Sequence, residues 1–338
     1  MFLAQRAVVI RRLWGRLRVP AVLGLLVAVV YEVGSAQFLK VLGHIDVLVV
    51  VVTFAVGVPS TVCAAWRWCL VARRLGLGLS LGAAVADYYR SMFLNAVLPG
   101  GVFGDVYRGV RHGKESGALG RGVRAVVLER CAGQVVLVTV AVPALAAGPS
   151  VSAVVGAAGV PLVVAAAVLG VSAGAVALGL WRGWGAARWR RALAVVLAEV
   201  RVGLFGRDVL PGVLVLSALT LTGHLGLFVL AARVAGITAP VATLVPLLLC
   251  ALMAMALPVG VGGWGPREGA CVLVFGAAGL GAQQGLAASV VYGVLVLVSS
   301  LPGAGVLVVR FLVGRRTGSQ IQCEEGVLAE CEGADRGA

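Results

Sequence analysis

The chain has 338 residues, of which 60% are hydrophobic and 12% are charged, and its mean hydropathy is +1.03. An ordinary soluble domain has about 25% charged residues, and no single domain has enough interior to bury this much apolar surface. Composition therefore excludes a soluble globular protein, a disordered chain, a coiled coil and a disulfide-rich secreted scaffold. The net charge of +14 indicates basic cytoplasmic loops beside anionic lipid headgroups, and no nucleic-acid partner is expected.

Long runs without formal charge predict the membrane-spanning helices, since a span needs about 20 mostly apolar residues. Strands of a membrane barrel would be about 10 residues long and would alternate polar with apolar side chains, so the predicted fold class is all-α. We expect a polytopic integral membrane protein with eight spans, one each in residues 19–39, 47–66, 209–232 and 234–266 and two each in 131–181 and 269–309.

Arginine and lysine are concentrated in alternate loops and near both ends of the chain. This bias predicts a multi-pass protein of the cell membrane with both termini in the cytoplasm. Residues 1–18 are then a basic cytoplasmic tail, residues 19–313 the membrane domain, and residues 314–338 an acidic tail that we expect to be disordered. The seven cysteines and three histidines show no metal-ligand spacing. No phosphate-binding loop, dinucleotide motif or serine nucleophile motif is found, so no metal, cofactor or catalytic residue is expected.

The first informative element is a glycine-rich break in residues 95–108. Pro99 removes a backbone donor and stops a helix, and the glycines let the backbone approach a ligand closely. A capping Asp105 would place Arg108 in the first turn of a new helix, and a helix N-terminus beside a guanidinium suits a phosphate. We therefore predict that substrate contacts come from Asn95, Gly100, Gly104, Asp105 and Arg108.

A second break lies in residues 257–268 and follows the same logic. Pro266 fits the first turn of a helix, and charged side chains follow it. Two such breaks are typical of transporters in which discontinuous helices meet at a central site. This element adds Gly262, Gly263, Arg267 and Glu268 to the predicted substrate contacts.

An alternative interpretation gives the charged residues of both breaks structural roles: Asp105 is only a cap, Arg108 extends to lipid phosphates, and Glu268 only pairs with Arg267. Whether residues 83–104 and 264–280 re-enter the membrane or lie at its interface is left open; if residues 269–279 only dip into it, the span count drops.

Four other charges lie in apolar surroundings. Arg67, flanked by two tryptophans near a predicted cytoplasmic helix end, is interpreted as extending to the membrane surface. Glu32 lies deeper and needs a cation, a proton or water, so a proton-carrying or structural role is predicted. Glu129 and Arg130 open the third predicted span, where they could pair with Arg108 or Arg267. We include them among the substrate contacts, with a structural ion-pair network as the alternative.

Together these residues resemble the membrane domain of the lysylphosphatidylglycerol synthase/flippase family, the flippase-like domain of multiple peptide resistance factor. The resemblance covers roughly residues 15–313. It rests on Arg67-Trp68, Asn95, Leu98-Pro99-Gly100, Gly104-Asp105, Arg108, Glu129-Arg130, Gly262-Gly263, Gly265, Arg267 and Glu268. It implies a bacterial inner-membrane protein that binds or translocates a lipid. Some members carry a soluble aminoacyltransferase domain; because none follows residue 313 in this sequence, lysyl transfer is not expected.

The leading hypothesis is a lipid flippase or lipid-binding transporter, not an enzyme, that moves a phosphate-containing headgroup. Its expected partners are an anionic phospholipid or a polyprenyl-phosphate carrier and, in addition, a separate lipid-modifying enzyme. The alternatives are a membrane glycosyl- or phosphotransferase that uses Asp105 and Glu268, or a non-transporting partner of such an enzyme. All three leave the lipid, the direction of movement, the driving force and the oligomeric state open. The central expectation is that Arg108 and Arg267 line one polar chamber.

Overall fold

The computed structural model of the chain describes residues 46–98, 101–146, 208–255 and 265–335, with residue 43 and a few positions between 194 and 206; side chains are described as far as residue 309. Every regular element in these ranges is an α-helix, which confirms the predicted all-α class. In chain order the helices are α1 Val47–Arg74, α2 Leu81–Val97, α3 Phe103–Glu115, α4 Leu119–Ala146, α5 Leu210–Val234, α6 Val241–Met255, α7 Pro266–Ala277 and α8 Ala282–Asp335.

Four of the described helices are long and apolar enough to cross a membrane. They are α1, α4, α5 and the Ala282–Val309 part of α8, each 25 to 28 residues long, and a helix of that length exceeds the roughly 30 Å of a hydrocarbon core. The chain is therefore a multi-pass membrane protein, as predicted. The spans expected in residues 19–39 and in the second part of 131–181 lie outside the described residues.

The apolar run 269–309 contains one crossing helix and one short helix where two spans were predicted. Helix α7 has 12 residues, so it is about 18 Å long and does not cross a membrane by itself. The chain turns at Gly279 and Gly281, whose φ angles are +73° and +91°, a backbone conformation that glycine adopts without strain. At the other end, α8 continues to Asp335 through residues predicted to form a disordered tail; the division of the chain into domains stays a prediction.

Two helix starts differ from expectation at the glycine-rich breaks. Helix α3 begins at Phe103 with Val102 as its N-cap, so Asp105 is the third helical residue and Arg108 lies in the second turn. The prediction that Asp105 caps this helix is wrong. At α7 the expectation is confirmed: Pro266 occupies the first turn, and the Glu268 carboxylate accepts a 2.6 Å hydrogen bond from the Gly265 backbone N–H.

The helices enclose two apolar cores that share α4 and α5. One core contains Trp68 and Ala72 of α1 with the first half of α4. The other contains Phe228 of α5 and Tyr292 of α8 with most of α6. Small residues bring α1 and α5 together, because a Cβ added at Gly223 would lie only 1.8 Å from the Ser60 hydroxyl oxygen. The stretch of α5 between residues 213 and 227 lies between the two cores, and its polar side chains belong to the site.

Candidate functional site

The carboxylate of Glu129 is the centre of a buried ion cluster. Helix α4 begins at Leu119, so Glu129 lies inside a spanning helix. The prediction that Glu129 opens this span is wrong. Its side chain is 0% exposed. Oε2 accepts a 2.6 Å hydrogen bond from the Arg108 guanidinium, and Oε1 accepts hydrogen bonds from Arg67 and, at 3.5 Å, from the Tyr88 hydroxyl. Of the two predicted pairings of Glu129, the structure confirms the one with Arg108; Arg267 pairs with Glu268.

Arg67 contributes to this cluster from α1. Its side chain is 6% exposed, and its guanidinium donates to Glu129 and, at 2.9 Å, to the hydroxyl of Ser217 on α5. A Cβ at Gly133 would lie 3.1 Å from the same guanidinium, so the glycine gives Arg67 room against α4. The interpretation that Arg67 extends to the membrane surface is wrong, because helix α1 continues to Arg74 and a carboxylate on another helix compensates the buried charge.

Arg108 is enclosed by aromatic rings as well as by acids. Its guanidinium carbon lies 4.8 Å from the ring centroid of Trp68 and 4.6 Å from that of Tyr88. Its Nε donates to the Asp105 carboxylate at 2.9 Å. Cation–π contacts of a desolvated guanidinium are worth about 2 kcal/mol, so these rings help the acids to fix the position of Arg108.

Asp105 joins the broken element to α4. Its carboxylate accepts hydrogen bonds from Ser91 at 3.1 Å, from Asn95 at 2.9 Å and from Arg130 at 2.8 Å, and the Asn95 amide oxygen accepts the Gly104 backbone N–H at 2.7 Å. Burial alone would raise the pKa of Asp105, but the guanidiniums of Arg130 and Arg108 outweigh it and hold this pKa at about 2. The carboxyl is therefore ionised at neutral pH.

Among the described residues, this cluster carries an excess of positive charge. Three guanidiniums, from Arg67, Arg108 and Arg130, face the two carboxylates of Asp105 and Glu129, so the net charge of these groups is 3 − 2 = +1. One nitrogen of Arg108 and the Nε of Arg130 are buried without a hydrogen-bond partner among the described residues. The Arg130 side chain is nevertheless 42% exposed. This arrangement can bind an anion that approaches from the side of Arg130.

Arg267 lies in a second polar cluster, between α7 and α8. Its Nε donates to Ser289 at 2.9 Å, and its guanidinium pairs with Glu268 at 2.5 Å. The Ser289 hydroxyl donates to the same carboxylate at 3.0 Å. The Arg267 guanidinium carbon also lies 5.2 Å from the ring centroid of Tyr292. Arg267 is 1% exposed and Arg108 is 0% exposed, so both arginines are buried. They lie in separate clusters, and the expectation that they line one polar chamber stays a prediction.

Helix α5 connects the two clusters. Ser217 contacts Arg67, and His224, two turns further along the same face, lies 3.0 Å from the Tyr292 hydroxyl through its Nδ1. The positive charges of Arg130 and Arg67 also act on the His224 ring. Tyr292 in turn stacks on Phe228, with ring centroids 4.2 Å apart. His224 and Tyr292 therefore connect α5 to the cluster that contains Arg267.

Six of the predicted contacts meet in the first cluster: Asn95, Gly104, Asp105, Arg108, Glu129 and Arg130. Outside the described residues lie Gly100, Gly262, Gly263 and Glu32. For every predicted site residue, described or not, substrate binding stays a prediction. The sequence analysis missed Tyr88, Ser217, Ser289 and Tyr292, which carry no charge and resemble ordinary residues of apolar helices. His224 offered a signal, since it interrupts the otherwise apolar run 209–232.

One comparison with known proteins identifies the family of the chain. The model of one protein family, described as the lysylphosphatidylglycerol synthase TM region, matches residues 8–303. The chain belongs to this family. The match to the lysylphosphatidylglycerol synthase membrane region includes every residue of both clusters. No curated protein and no solved structure is significantly similar to the chain.

Proposed function

We propose that the chain is a lipid flippase or lipid-binding transporter that moves a phosphate-containing headgroup across the bacterial cell membrane, with both termini in the cytoplasm. The observation that carries the proposal is the net charge of +1 among the described groups of the Arg67–Arg108–Arg130 cluster, in which the side chain of Arg130 is 42% exposed. An uncompensated positive charge inside a membrane protein costs free energy unless an anion neutralises it, so ionisable residues at this depth mark a substrate path.

Membership of the lysylphosphatidylglycerol synthase membrane-region family supports a lipid substrate. The broken element between α2 and α3 supports a path, since irregular backbone at membrane depth is tolerated where it is buried in protein or lines a water-filled cavity. Arg130 is then the first cation that the headgroup meets, while Arg108 and Arg67 hold their places through Glu129. The phosphate accepts hydrogen bonds from Arg130, and its charge neutralises the cluster. No chemical step is assigned to the chain, and membrane lipids are its proposed partners.

The test is transbilayer movement of a labelled lipid by the full chain in vesicles. Fluorescent phosphatidylglycerol and a fluorescent polyprenyl phosphate are incorporated separately into phosphatidylcholine vesicles, and dithionite quenching reports how much of each reaches the outer leaflet. Arg130→Gln removes the accessible guanidinium and is expected to slow movement about tenfold, the effect of losing one charge-assisted hydrogen bond. The matched control is Arg121→Gln, an exposed arginine on the same helix, which is expected to leave the rate unchanged.

The two lipids distinguish the two headgroup sources. Movement of either lipid above the level of protein-free vesicles, with loss in Arg130→Gln only, supports the proposal and identifies the source. If neither lipid moves faster than in protein-free vesicles, or if both variants behave alike, the proposed function is refuted.

A further inference from the structure

His224 differs from its neighbours on the inner face of α5. Ser217, Phe228 and Ala231 share a helical stripe with His224, and all three are buried, at 2%, 0% and 0% exposure. The histidine on this stripe is partly exposed. The lipid-facing side of α5 is marked by other residues, such as Leu219 and Thr222, which are exposed. His224 therefore lies on the inward stripe of α5, between Ser217, which contacts Arg67, and Phe228 of the second apolar core.

The ring is fixed on one edge and free on the other. Nδ1 lies 3.0 Å from the Tyr292 hydroxyl, and Tyr292 is itself held by stacking on Phe228 and by the Arg267 guanidinium above its ring. The described residues provide no hydrogen-bond partner for Nε2. When the tyrosine donates to Nδ1, Nε2 carries the proton and is a donor. The positive charges of Arg130 and Arg67 also act on this ring.

We propose that His224 is a headgroup-binding residue: its Nε2–H donates to an anionic oxygen of the headgroup while that headgroup passes from Arg130 towards Arg267. The inference rests on the proposed function and extends it to a third contact midway along the path. A neutral donor suits this position, because it binds a phosphate oxygen without adding a charge that would hold the headgroup too tightly to leave. Tyr292 selects the tautomer and orients the ring, so it is a positioning residue.

Asparagine and glutamine at position 224 separate the two ring nitrogens. The amide of Gln reaches the position of Nε2, whereas the amide of Asn reaches only that of Nδ1. We expect His224→Asn, which keeps a partner for Tyr292, to slow movement of fluorescent phosphatidylglycerol about tenfold, the effect of losing one hydrogen bond to a charged group. His224→Gln is expected to restore most of that loss. Thr222→Val, on the lipid-facing side of the same helix, is the matched control and is expected to match the wild type.

Two further measurements keep the test decisive. Thermal unfolding of each variant in detergent must give a midpoint close to that of the wild type, and titration of the same fluorescent lipid into nanodiscs that contain the full chain measures binding without movement. Weaker binding in His224→Asn and recovery in His224→Gln support the inference. Equal behaviour of the two variants in both assays overturns it.

The outcomes also separate this inference from the proposed function. If the wild type moves no lipid, the proposed function fails. If the wild type moves lipid and Arg130→Gln does not, while His224→Asn equals the wild type, the function stands and only the role of His224 is refuted.

Discussion

Replacing Glu129 by glutamine is the sharpest test of the buried cluster. The substitution keeps the shape of the side chain and removes its charge. It leaves the guanidiniums of Arg67 and Arg108, which both donate to this carboxylate, facing one neutral amide oxygen and one NH2 group that cannot accept. Arg108 then keeps only the Asp105 carboxylate, and Arg67 keeps no carboxylate among the described residues, in a site where Glu129 itself is 0% exposed.

The size of the effect follows from the geometry. Opposite charges 2.6 Å apart, the distance from Arg108 to Glu129, attract by about 6 kcal/mol at an effective dielectric constant of about 20. Desolvation of the carboxylate offsets part of this attraction. Removing one partner of a buried ion pair costs about 3–5 kcal/mol in measured cases, and we expect Glu129→Gln to lower the free energy of unfolding by that amount.

The assay is equilibrium unfolding in mixed detergent micelles, followed by tryptophan fluorescence. Trp68 is a suitable reporter because it is 0% exposed and contacts Arg108. The matched control is Glu115→Gln, the same chemical change in a carboxylate that accepts a 2.8 Å hydrogen bond from Arg111 but is 54% exposed. Exposed ion pairs contribute about 0–1 kcal/mol, so the control is expected to unfold nearly as the wild type does.

A second variant separates lost attraction from a general packing defect. The double variant Arg67→Met/Glu129→Gln removes the guanidinium of Arg67 together with the acid. We expect it to be more stable than the sum of the single substitutions predicts, since the two groups interact directly. A Glu129→Gln protein within about 1 kcal/mol of Glu115→Gln, or strict additivity in the double variant, would refute the account of Glu129 as the compensating charge.

Two further predictions concern the broken element. The pKa of Asp105 is about 2 and its unfolded value is about 3.9, so its carboxylate stabilises the fold above the unfolded value, and this stabilisation is lost as pH falls towards 2. The difference in melting temperature between the wild type and Asp105→Asn should therefore shrink between about pH 4 and pH 2; a constant difference would contradict this. Gly104→Ala should destabilise by about 1–3 kcal/mol, because its Cβ would lie 2.1 Å from the Ser91 carbonyl oxygen. Both variants are measured by denaturant titration, and Gly82→Ala is the control because its added Cβ meets nothing within 4 Å. Equal unfolding midpoints of Gly104→Ala and Gly82→Ala would contradict the steric argument.

The fold was predictable because hydropathy acts locally along the chain. A run of about 20 apolar residues forms a spanning helix whatever its neighbours are, so α1 and α5 appear close to where the sequence predicts them. The start of α4 was missed for the opposite reason. Counting charge-free residues places the helix after Arg130, but Arg130 and Glu129 are compensated by residues on α1 and α3 and therefore lie within the helix.

The sequence predicts which residues belong to the site better than it predicts which of them contact one another. Asn95, Asp105 and Arg108 are within 13 residues of one another, so a single broken element brings them together. The bond from Arg67 to Ser217 joins residues 150 positions apart, and no local pattern indicates it. Tyr88 and Tyr292 escaped attention because tyrosines in apolar helices are common. Their role depends on which guanidinium lies over each ring, a matter of helix packing.

Because the sequence has few acidic residues, some of the ion pairs of the buried arginines can be deduced from it. The sequence has 14 acidic residues, and five of them lie beyond residue 320. An arginine inside a spanning helix must find an anion at similar depth, so Arg67 had few candidates within the membrane domain. Glu129 is the acid that apolar segments enclose on the C-terminal side of a basic loop, and it is the partner that Arg67 has. The same reasoning applied to the three arginines of the cluster leaves one without its own acid, and that surplus, spread over Arg108 and Arg130, is what an incoming phosphate would neutralise.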